Sequence, residues 1–198
     1  MQPEQPKSSQ LAVMLDIETL GTHVDAPIAE IGAVVFCLDE PRDDIEGDSF
    51  HRQLDIRVDI MAGAMPDQGS ITWWNEQSVD TREHVMSGEL PAPRALSWFL
   101  EWLPPAIPVF SNGPHFDFVI LNRALVRHGF KAIEYWRARC MKSWALGQCA
   151  QASVDYFEAH RRWKANKPPT AHCALRDAEA QIAWMRHVAS LCALTHAV

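Results

Sequence analysis

The apolar positions of the chain form short continuous runs at first and helix-like spacings further on. Residues 11–15 and 31–37 are mostly apolar, and each run predicts a buried strand. Alternating polarity through residues 51–60 predicts a third strand at the sheet edge. Because short connections join these runs, the pattern favours an antiparallel meander over βαβ units.

The rest of the chain alternates helical spacing with breaks rich in proline and glycine. The predicted elements are helices at 79–86, 94–103, 116–128 and 174–192, with a brief strand at 108–110. Residues 135–170 are harder to assign and show only short helical fragments. Together these elements predict an α/β fold in which helices pack against a mixed sheet of about five strands.

The composition is typical of a soluble globular protein. With 198 residues, 47% hydrophobic and 22% charged, the chain fits one domain, which we expect to span residues 11–198. Residues 1–10 lack the apolar core of a signal peptide and predict a disordered lead-in. No apolar run approaches the ~20 residues of a membrane span. The five cysteines form no CxxC pair, which argues against a disulfide framework or a zinc knuckle and favours reduced thiols in the cytoplasm.

The net charge of −7 conceals an uneven distribution. Residues 1–120 carry 6 Lys and Arg against 20 Asp and Glu, whereas residues 121–170 carry 10 against 3. A basic segment beside acidic clusters suits a protein that holds cations at one site and phosphate groups next to it. The ten basic residues could meet a nucleic-acid backbone as a group, although a merely solvated basic face explains the same count.

The first predicted strand ends in two carboxylates, Asp16 and Glu18. Side chains two positions apart in an extended strand point to the same side. Neighbouring carboxylates repel each other unless a cation or a shared proton relieves them. A hard divalent ion such as Mg²⁺ or Mn²⁺ takes oxygen ligands of this kind. A pair of solvated acids at a strand end is the alternative.

Two further motifs contain acids. SNGPHFD at 111–117 brings Asp117 to the start of a predicted helix, and HCALRD at 172–177 opens the last helix. At ~100° per residue, His172 and Asp177 would lie about 140° apart if both were inside that helix. We therefore expect His172 to precede the helix, where it can approach the site into which Asp177 points.

The DxE strand end, the NGxxFD helix start and the HxxxxD element, in this order, resemble the DnaQ-like 3′–5′ exonucleases of the DEDDh type. The likeness spans roughly residues 11 to 190, and DIETLGT, the Trp pair and NGPHFDFVIL look most like the small stand-alone exonucleases of phages and bacteria. The resemblance implies an RNase H-like fold and a nucleic-acid substrate with a free 3′ end, DNA or RNA. Because homodimers occur among such relatives, a homodimer is a further expectation.

The resemblance also implies a role for each of five residues. Asp16, Glu18, Asp117 and Asp177 would hold two divalent metal ions, Mg²⁺ or Mn²⁺, with Asp16 bridging both. Glu18 and Asp177 would complete one metal site, and Asp117 would support the second, largely through water. His172 would be the general base for the attacking water, which suits a side chain that titrates near neutral pH.

Weaker candidates for substrate binding surround these five residues. By resemblance, the backbone at Thr19, Leu20 and Gly21 would touch the terminal nucleotide, with Leu20 wedged against its base and Gly21 serving a turn. Asn112 either hydrogen-bonds the substrate sugar or closes its turn. Trp74, one of two adjacent tryptophans, is the candidate that stacks on a base.

The leading hypothesis is a metal-dependent 3′–5′ exonuclease that releases nucleoside 5′-monophosphates from single-stranded ends, with DNA slightly favoured. The polarity and the strand preference come from the resemblance alone. An exoribonuclease that trims RNA tails or short oligoribonucleotides is the first alternative, because the sequence does not locate contacts to a 2′-hydroxyl. A catalytically silent nucleic-acid-binding module on the same fold is the second, and the presence of all five residues argues against it.

Overall fold

The computed structural model describes residues 11–38, 48–166 and 172–195, so the predicted lead-in at 1–10 lies outside the described residues. Within these ranges, six strands form one sheet in the order β4-β3-β2-β1-β5-β6. The strands are β1 (Leu11–Thr19), β2 (Ile28–Cys37), β3 (Ser49–Asp55), β4 (Leu90–Pro91), β5 (Val109–Ser111) and β6 (Ala138–Cys140). The sheet therefore has one strand more than the five expected.

Eight α-helices accompany the strands in the described part of the chain. They are α1 (Ile56–Met61), α2 (Gln68–Glu76), α3 (Val79–Met86), α4 (Ala92–Trp102), α5 (Asp117–Arg127), α6 (Met141–Gln151), α7 (Tyr156–Asn166) and α8 (Ala174–Thr195). The four helices predicted from the sequence correspond to α3, α4, α5 and α8. None of the helices described combines the length and the apolar character that crossing a membrane requires.

The sheet is mixed, as predicted. β1, β2 and β3 pair as an antiparallel meander, while β1 pairs with β5 and β5 with β6 in parallel. The third strand ends earlier than expected, because the Asp55 side chain accepts a hydrogen bond from the Arg57 N–H and caps α1. The two-residue strand β4, rather than β3, lies at that edge of the sheet.

The two faces of β1 pack against different helices. Val13 and Leu15 belong to the core cluster that α4 and α5 cover, whereas Ala12 and Met14 belong to the cluster beneath α8. Both faces are therefore apolar along the first half of the strand, which explains why residues 11–15 form an unbroken apolar run.

Gly32 on β2 lets the start of α8 approach the sheet closely. A Cβ atom at this position would lie 2.2 Å from the carbonyl carbon of Ala174 and 2.2 Å from the backbone nitrogen of Leu175. Gly32 pairs with Asp16 in the β1–β2 register. The first turn of α8 is therefore held directly over the end of β1 at which the carboxylates lie.

Candidate active site

Strand β1 brings Asp16 and Glu18 to the face of the sheet that α8 covers. They continue the alternate positions of Ala12 and Met14, which pack beneath α8, while Ile17 is buried in the core on the other face. The residues of β1 beneath α8 are thus apolar in the first half of the strand and acidic at its end. Both acids point to one side, as the alternation of an extended strand requires.

Two helix starts supply the remaining predicted residues. Asp117 is the first residue of α5 and is 4% exposed, and Asp177 lies in the first turn of α8. His172 precedes α8, as predicted, with a left-handed φ of 53° that L residues seldom adopt. Together with Asp16 and Glu18, these residues line one cavity of about 380 Å³. One ligand atom each of Glu18, His172 and Asp177 lies within 4.8 Å of the others.

The surroundings of three carboxylates in this cavity, those of Asp16, Glu18 and Asp117, disfavour the charged form. Burial raises the pKa of Glu18 to about 8, and the nearby Asp177, Glu30 and Asp117 carboxylates add to the effect. Burial, followed by repulsion from Asp117, Glu18 and Asp177, raises the pKa of Asp16 well above its usual value. Burial also raises the pKa of Asp117 to about 7. A cation bound among these groups would reverse the shifts.

Gln181 and Lys142 also line the cavity, and the sequence reasoning did not single out Gln181. Gln181 lies one turn after Asp177 on α8, and its Nε2 donates a 2.6 Å hydrogen bond to Asp16 Oδ1, which opposes the rise of that pKa. Lys142, from the predicted basic group, is the only Lys or Arg side chain on the cavity wall within the described ranges. Asn112 and His115 are exposed on the same wall.

A second cavity, of about 460 Å³, adjoins the first and shares Ile17, Glu18 and Phe116 with it. Thr19, the last residue of β1, and Gly21, in the loop that follows, line it, and Asp67 holds this loop. The Asp67 carboxylate accepts hydrogen bonds from the N–H groups of Thr22 and Ser70. Phe116 is half-buried and lines both cavities. The loop after β1 and the start of α2 thus form a chamber beside the carboxylates.

Of the two adjacent tryptophans, Trp73 rather than the predicted Trp74 is the exposed one. Trp74 is 2% exposed and donates a 2.8 Å hydrogen bond to the Thr19 carbonyl oxygen, so it is the core member of the pair. Trp73 is 41% exposed on the wall of the second cavity, and its ring meets the His172 ring edge-on at 4.8 Å. Both rings line the second cavity, and Trp73 is the more exposed of the two.

Leu20 does not line either cavity. It is 7% exposed and packs in a small buried cluster with Ala29, Trp74 and Val85. The chain bends at Leu20 and turns its side chain inward, so the wedge predicted there faces neither cavity. Phe116 and Ile17 are the apolar residues that line both cavities.

Comparison with known proteins identifies the family. Residues 11–189 match the family described as the 3′–5′ exoribonuclease Rv2179c-like domain. The chain belongs to this family. A search of curated proteins found no match. The family description agrees with the predicted enzyme class, a 3′–5′ exonuclease.

Solved structures of exonuclease I share the fold of this exonuclease. The zinc-bound complex of E. coli ExoI with ssDNA gives a TM-score of 0.67 at 14% identity, over 93% of this chain and 41% of that chain. Product-bound exonuclease I gives a TM-score of 0.64 at 14% identity, over 92% and 44%. The chain spans less than half the length of these proteins. At this identity the likeness concerns the fold, and it confirms the predicted RNase H-like architecture.

The donor atoms of the exonuclease cavity fit hard divalent metal ions. Four carboxylates converge there, and burial raises the pKa values of three of them, Asp16, Glu18 and Asp117. Carboxylate oxygens are the ligands that Mg²⁺ and Mn²⁺ prefer. The acidic residues can therefore hold metal, in agreement with the metal dependence typical of the family.

Most of the predicted basic group is engaged within the protein rather than at the cavity. Arg127 is nearly buried and donates to Asp59, and Arg137 donates to the carbonyl oxygens of Ile107 and Pro104. Further pairs join Arg123 to Asp25, Lys131 to Glu134, and Arg161 and Arg162 to Glu158. The last member, Lys167, lies outside the described residues. Several members of the group are therefore paired within the protein, and Lys142 is the one that lines the cavity.

Proposed function

We propose that this protein is a metal-dependent 3′–5′ exonuclease acting on single-stranded nucleic acid, with RNA as the preferred substrate. The proposal rests on one observation, the convergence of Asp16, Glu18, Asp117, Asp177 and His172 on a single cavity. A module that only bound nucleic acid would gain nothing from four clustered carboxylates, because they repel phosphate groups.

The four carboxylates would hold two divalent ions, Mg²⁺ or Mn²⁺. When bound, such ions activate water and stabilise the charge that develops at phosphorus during an in-line displacement. Gln181 fixes the orientation of Asp16 through its hydrogen bond. This bond leaves the second oxygen of the Asp16 carboxylate available for a ligand.

His172 would accept the proton of the attacking water. Its left-handed backbone and the edge contact with Trp73 hold the imidazole at the cavity. One imidazole nitrogen lies within 4.8 Å of a carboxylate oxygen of Glu18 and of a carboxylate oxygen of Asp177. An imidazole nitrogen can accept a proton from water and release it afterwards, as general-base catalysis requires.

The second cavity would receive the terminal nucleotide. It shares Glu18 with the carboxylate cavity, so a base placed there would put its phosphate beside the carboxylates. Trp73 offers a ring for stacking, and Phe116 lies between the two cavities. Base stacking tolerates every base, which suits an enzyme that removes nucleotides one after another.

The preference for RNA draws on the family description, which names an exoribonuclease. It replaces the slight preference for DNA drawn from the sequence. DNA remains the second candidate, because the structural neighbours include E. coli exonuclease I bound to a dT13 oligonucleotide.

A matched set of labelled oligonucleotides tests the proposal. Single- and double-stranded RNA and DNA of one sequence, with free or blocked 3′ ends, are incubated with Mg²⁺ or Mn²⁺. We expect mononucleotides from free 3′ ends, fastest from single-stranded RNA, and no release by Asp177→Asn or in the presence of a chelator. Degradation of blocked ends, or products longer than mononucleotides, would contradict exonuclease action. Faster release from DNA would contradict the RNA preference alone.

A further inference from the structure

A second group of ligand-type side chains lies one strand away from the carboxylate cavity. Glu30 on β2, His51 on β3, His84 on α3 and Cys173 just before α8 each place one potential ligand atom within 4.8 Å of the others. His51 Nε2 is 2.6 Å from Glu30 Oε1, and His84 Nε2 is 3.2 Å from Glu30 Oε2. Cys173 Sγ lies 4.0 Å from His51 Nε2. We call these four residues the Glu30 cluster.

The register of the sheet explains why the cluster forms. Glu30 pairs with Gln53 and Gly32 with His51 across β2 and β3, so these side chains share the face that carries Asp16 and Glu18. The Gln53 amide nitrogen lies 3.2 Å from His84 Nδ1 and leaves the Nε2 side of that ring to face Glu30. The approach of α8 at Gly32 then brings Cys173 over the same spot.

Two atoms inside the cluster have no hydrogen-bond partner among the described residues. Glu30 is 0% exposed, and neither its Oε2 atom nor the buried Nε2 atom of His84 takes part in a hydrogen bond. These atoms lie 3.2 Å apart, at ion-pair distance but without hydrogen-bond geometry. Burying such groups without a hydrogen bond costs about 1–3 kcal/mol each. Two ligand atoms that face each other in this way are arranged as they would be around a shared cation.

We propose that the Glu30 cluster binds one Zn²⁺ ion. Two imidazole nitrogens, a thiolate and a carboxylate form a tetrahedral donor set of the kind that zinc takes in proteins. Bond lengths of ~2.0–2.3 Å place tetrahedral ligand atoms about 3.3–3.7 Å apart. The contacts of His84 with Glu30, at 3.2 Å, and of Cys173 with His51, at 4.0 Å, lie just outside this range on either side. The shorter contact between His51 and Glu30 opens when both bind the ion, and the Cys173 thiol releases its proton to solvent.

This ion would join β2, β3 and α3 to the turn that carries His172. Glu30 Oε1 already accepts a 3.1 Å hydrogen bond from the Ala174 N–H, the first residue of α8. Zinc on the Oε2 side would fix the same turn through Cys173. The site is distinct from the carboxylate cavity, because no cysteine lines that cavity in the part of the chain described.

Cobalt substitution tests the proposal, because Co²⁺ bound to a thiolate gives a near-ultraviolet charge-transfer band that carboxylate ligands do not give. The chelator-treated full-length protein is titrated with Co²⁺, and its zinc content is measured by mass spectrometry after purification without chelator. We expect one tightly held zinc per chain and a charge-transfer band that saturates at one equivalent of Co²⁺. Cys173→Ser and His84→Ala should each lose the band and most of the zinc.

The control variants separate this site from other thiols and from the carboxylates. Cys37→Ser changes a different cysteine, partly buried at the end of β2, and should keep the band and the zinc. Asp16→Asn should keep both as well. Wild-type protein without a charge-transfer band would overturn the proposal whether or not the variants fold. A band that persists in Cys173→Ser, or that disappears in Cys37→Ser, would overturn it as well.

Discussion

Glu18 and Glu30 lie opposite each other in the β1–β2 register, on the same face of the sheet, yet their surroundings differ sharply. Glu30 is completely buried and receives hydrogen bonds from His51 and from the Ala174 N–H. Glu18 opens onto both cavities, and no donor in the described part of the chain hydrogen-bonds its carboxylate.

The difference separates a carboxylate that groups of the protein hold in place from one that opens onto the candidate active site. Burial with partners lets Glu30 hold β2 to the start of α8, whereas burial without partners raises the pKa of Glu18 to about 8. A group kept in an unfavourable state at the mouth of a cavity is a functional candidate for a physical reason. Sites of this kind reduce stability until their ligand binds.

The largest effect is expected from Glu18→Ala. Removing this carboxylate takes away a proposed metal ligand, so exonuclease activity should fall on the order of 100-fold or more. The metal-free protein should be as stable as the parent or more so, since repulsion with Asp177 and Asp117 is relieved. Mononucleotide release and thermal unfolding in chelator measure the two effects. A variant with full activity would remove Glu18 from the proposed site.

Glu30→Ala is the matched variant on the opposite strand. It leaves the Ala174 N–H and the His51 ring without their buried acceptor, so the free energy of unfolding should fall by about 2–4 kcal/mol in chelator. Chemical denaturation measures the loss. If the two Ala variants had equal stability, the contrast between the two glutamates would be wrong.

Gly32→Ala tests whether the approach of α8 supports both sites. The new Cβ would meet the backbone of Ala174 and Leu175 at 2.2 Å, which should cost about 1–3 kcal/mol and displace the turn that carries His172. Activity should fall together with stability. Gly147→Ala is the control, because this helical glycine has open space around its Cβ position and the change should stabilise α6 by about 0.5–1 kcal/mol.

The raised pKa values predict how the stability of the metal-free protein depends on pH. Glu18 and Asp117, with pKa values of about 8 and about 7, are protonated in the fold at pH 5 but ionised in the unfolded chain. Their contribution to stability is greatest at low pH and is lost as the pH rises through these values. Unfolding free energy should therefore fall by about 1–3 kcal/mol between pH 5 and pH 8.5.

Metal and substitution provide the controls for this pH dependence. Mg²⁺ or Mn²⁺ should restore the lost stability at pH 8.5 and have little effect at pH 5, where protons compete for the same oxygens. Glu18→Gln should flatten the profile. Metal-free protein that gained stability from pH 5 to pH 8.5 would contradict the assigned direction of the shifts.

The sequence predicted the carboxylate cavity well because short-range rules determine most of it. Strand alternation places Asp16 with Glu18, and the geometry of a helix start places His172 before α8. The resemblance then linked them to Asp117 and Asp177. The third strand was extended too far, to residue 60, because the alternating pattern conceals the capping of α1 by Asp55.

The Glu30 cluster could not be predicted in the same way. Its members lie at positions 30, 51, 84 and 173, so no local spacing connects them, and only the sheet register and the approach of α8 bring them together. The Trp pair shows a related limit. Adjacent residues face different ways, but the sequence does not say which of Trp73 and Trp74 turns inward; the hydrogen bond to Thr19 decides it.

The smallest effect is expected from Trp73→Ala, a change in the second cavity, which Glu18 also lines. Loss of a stacking ring should raise KM for oligonucleotides by about tenfold, since one base stack is worth ~1–3 kcal/mol. Stability should change little, because the ring is 41% exposed. Trp73→Phe keeps an aromatic face and should recover most of the affinity. If both variants instead lowered kcat at constant KM, Trp73 would act by holding the His172 ring, 4.8 Å away, rather than by receiving a base.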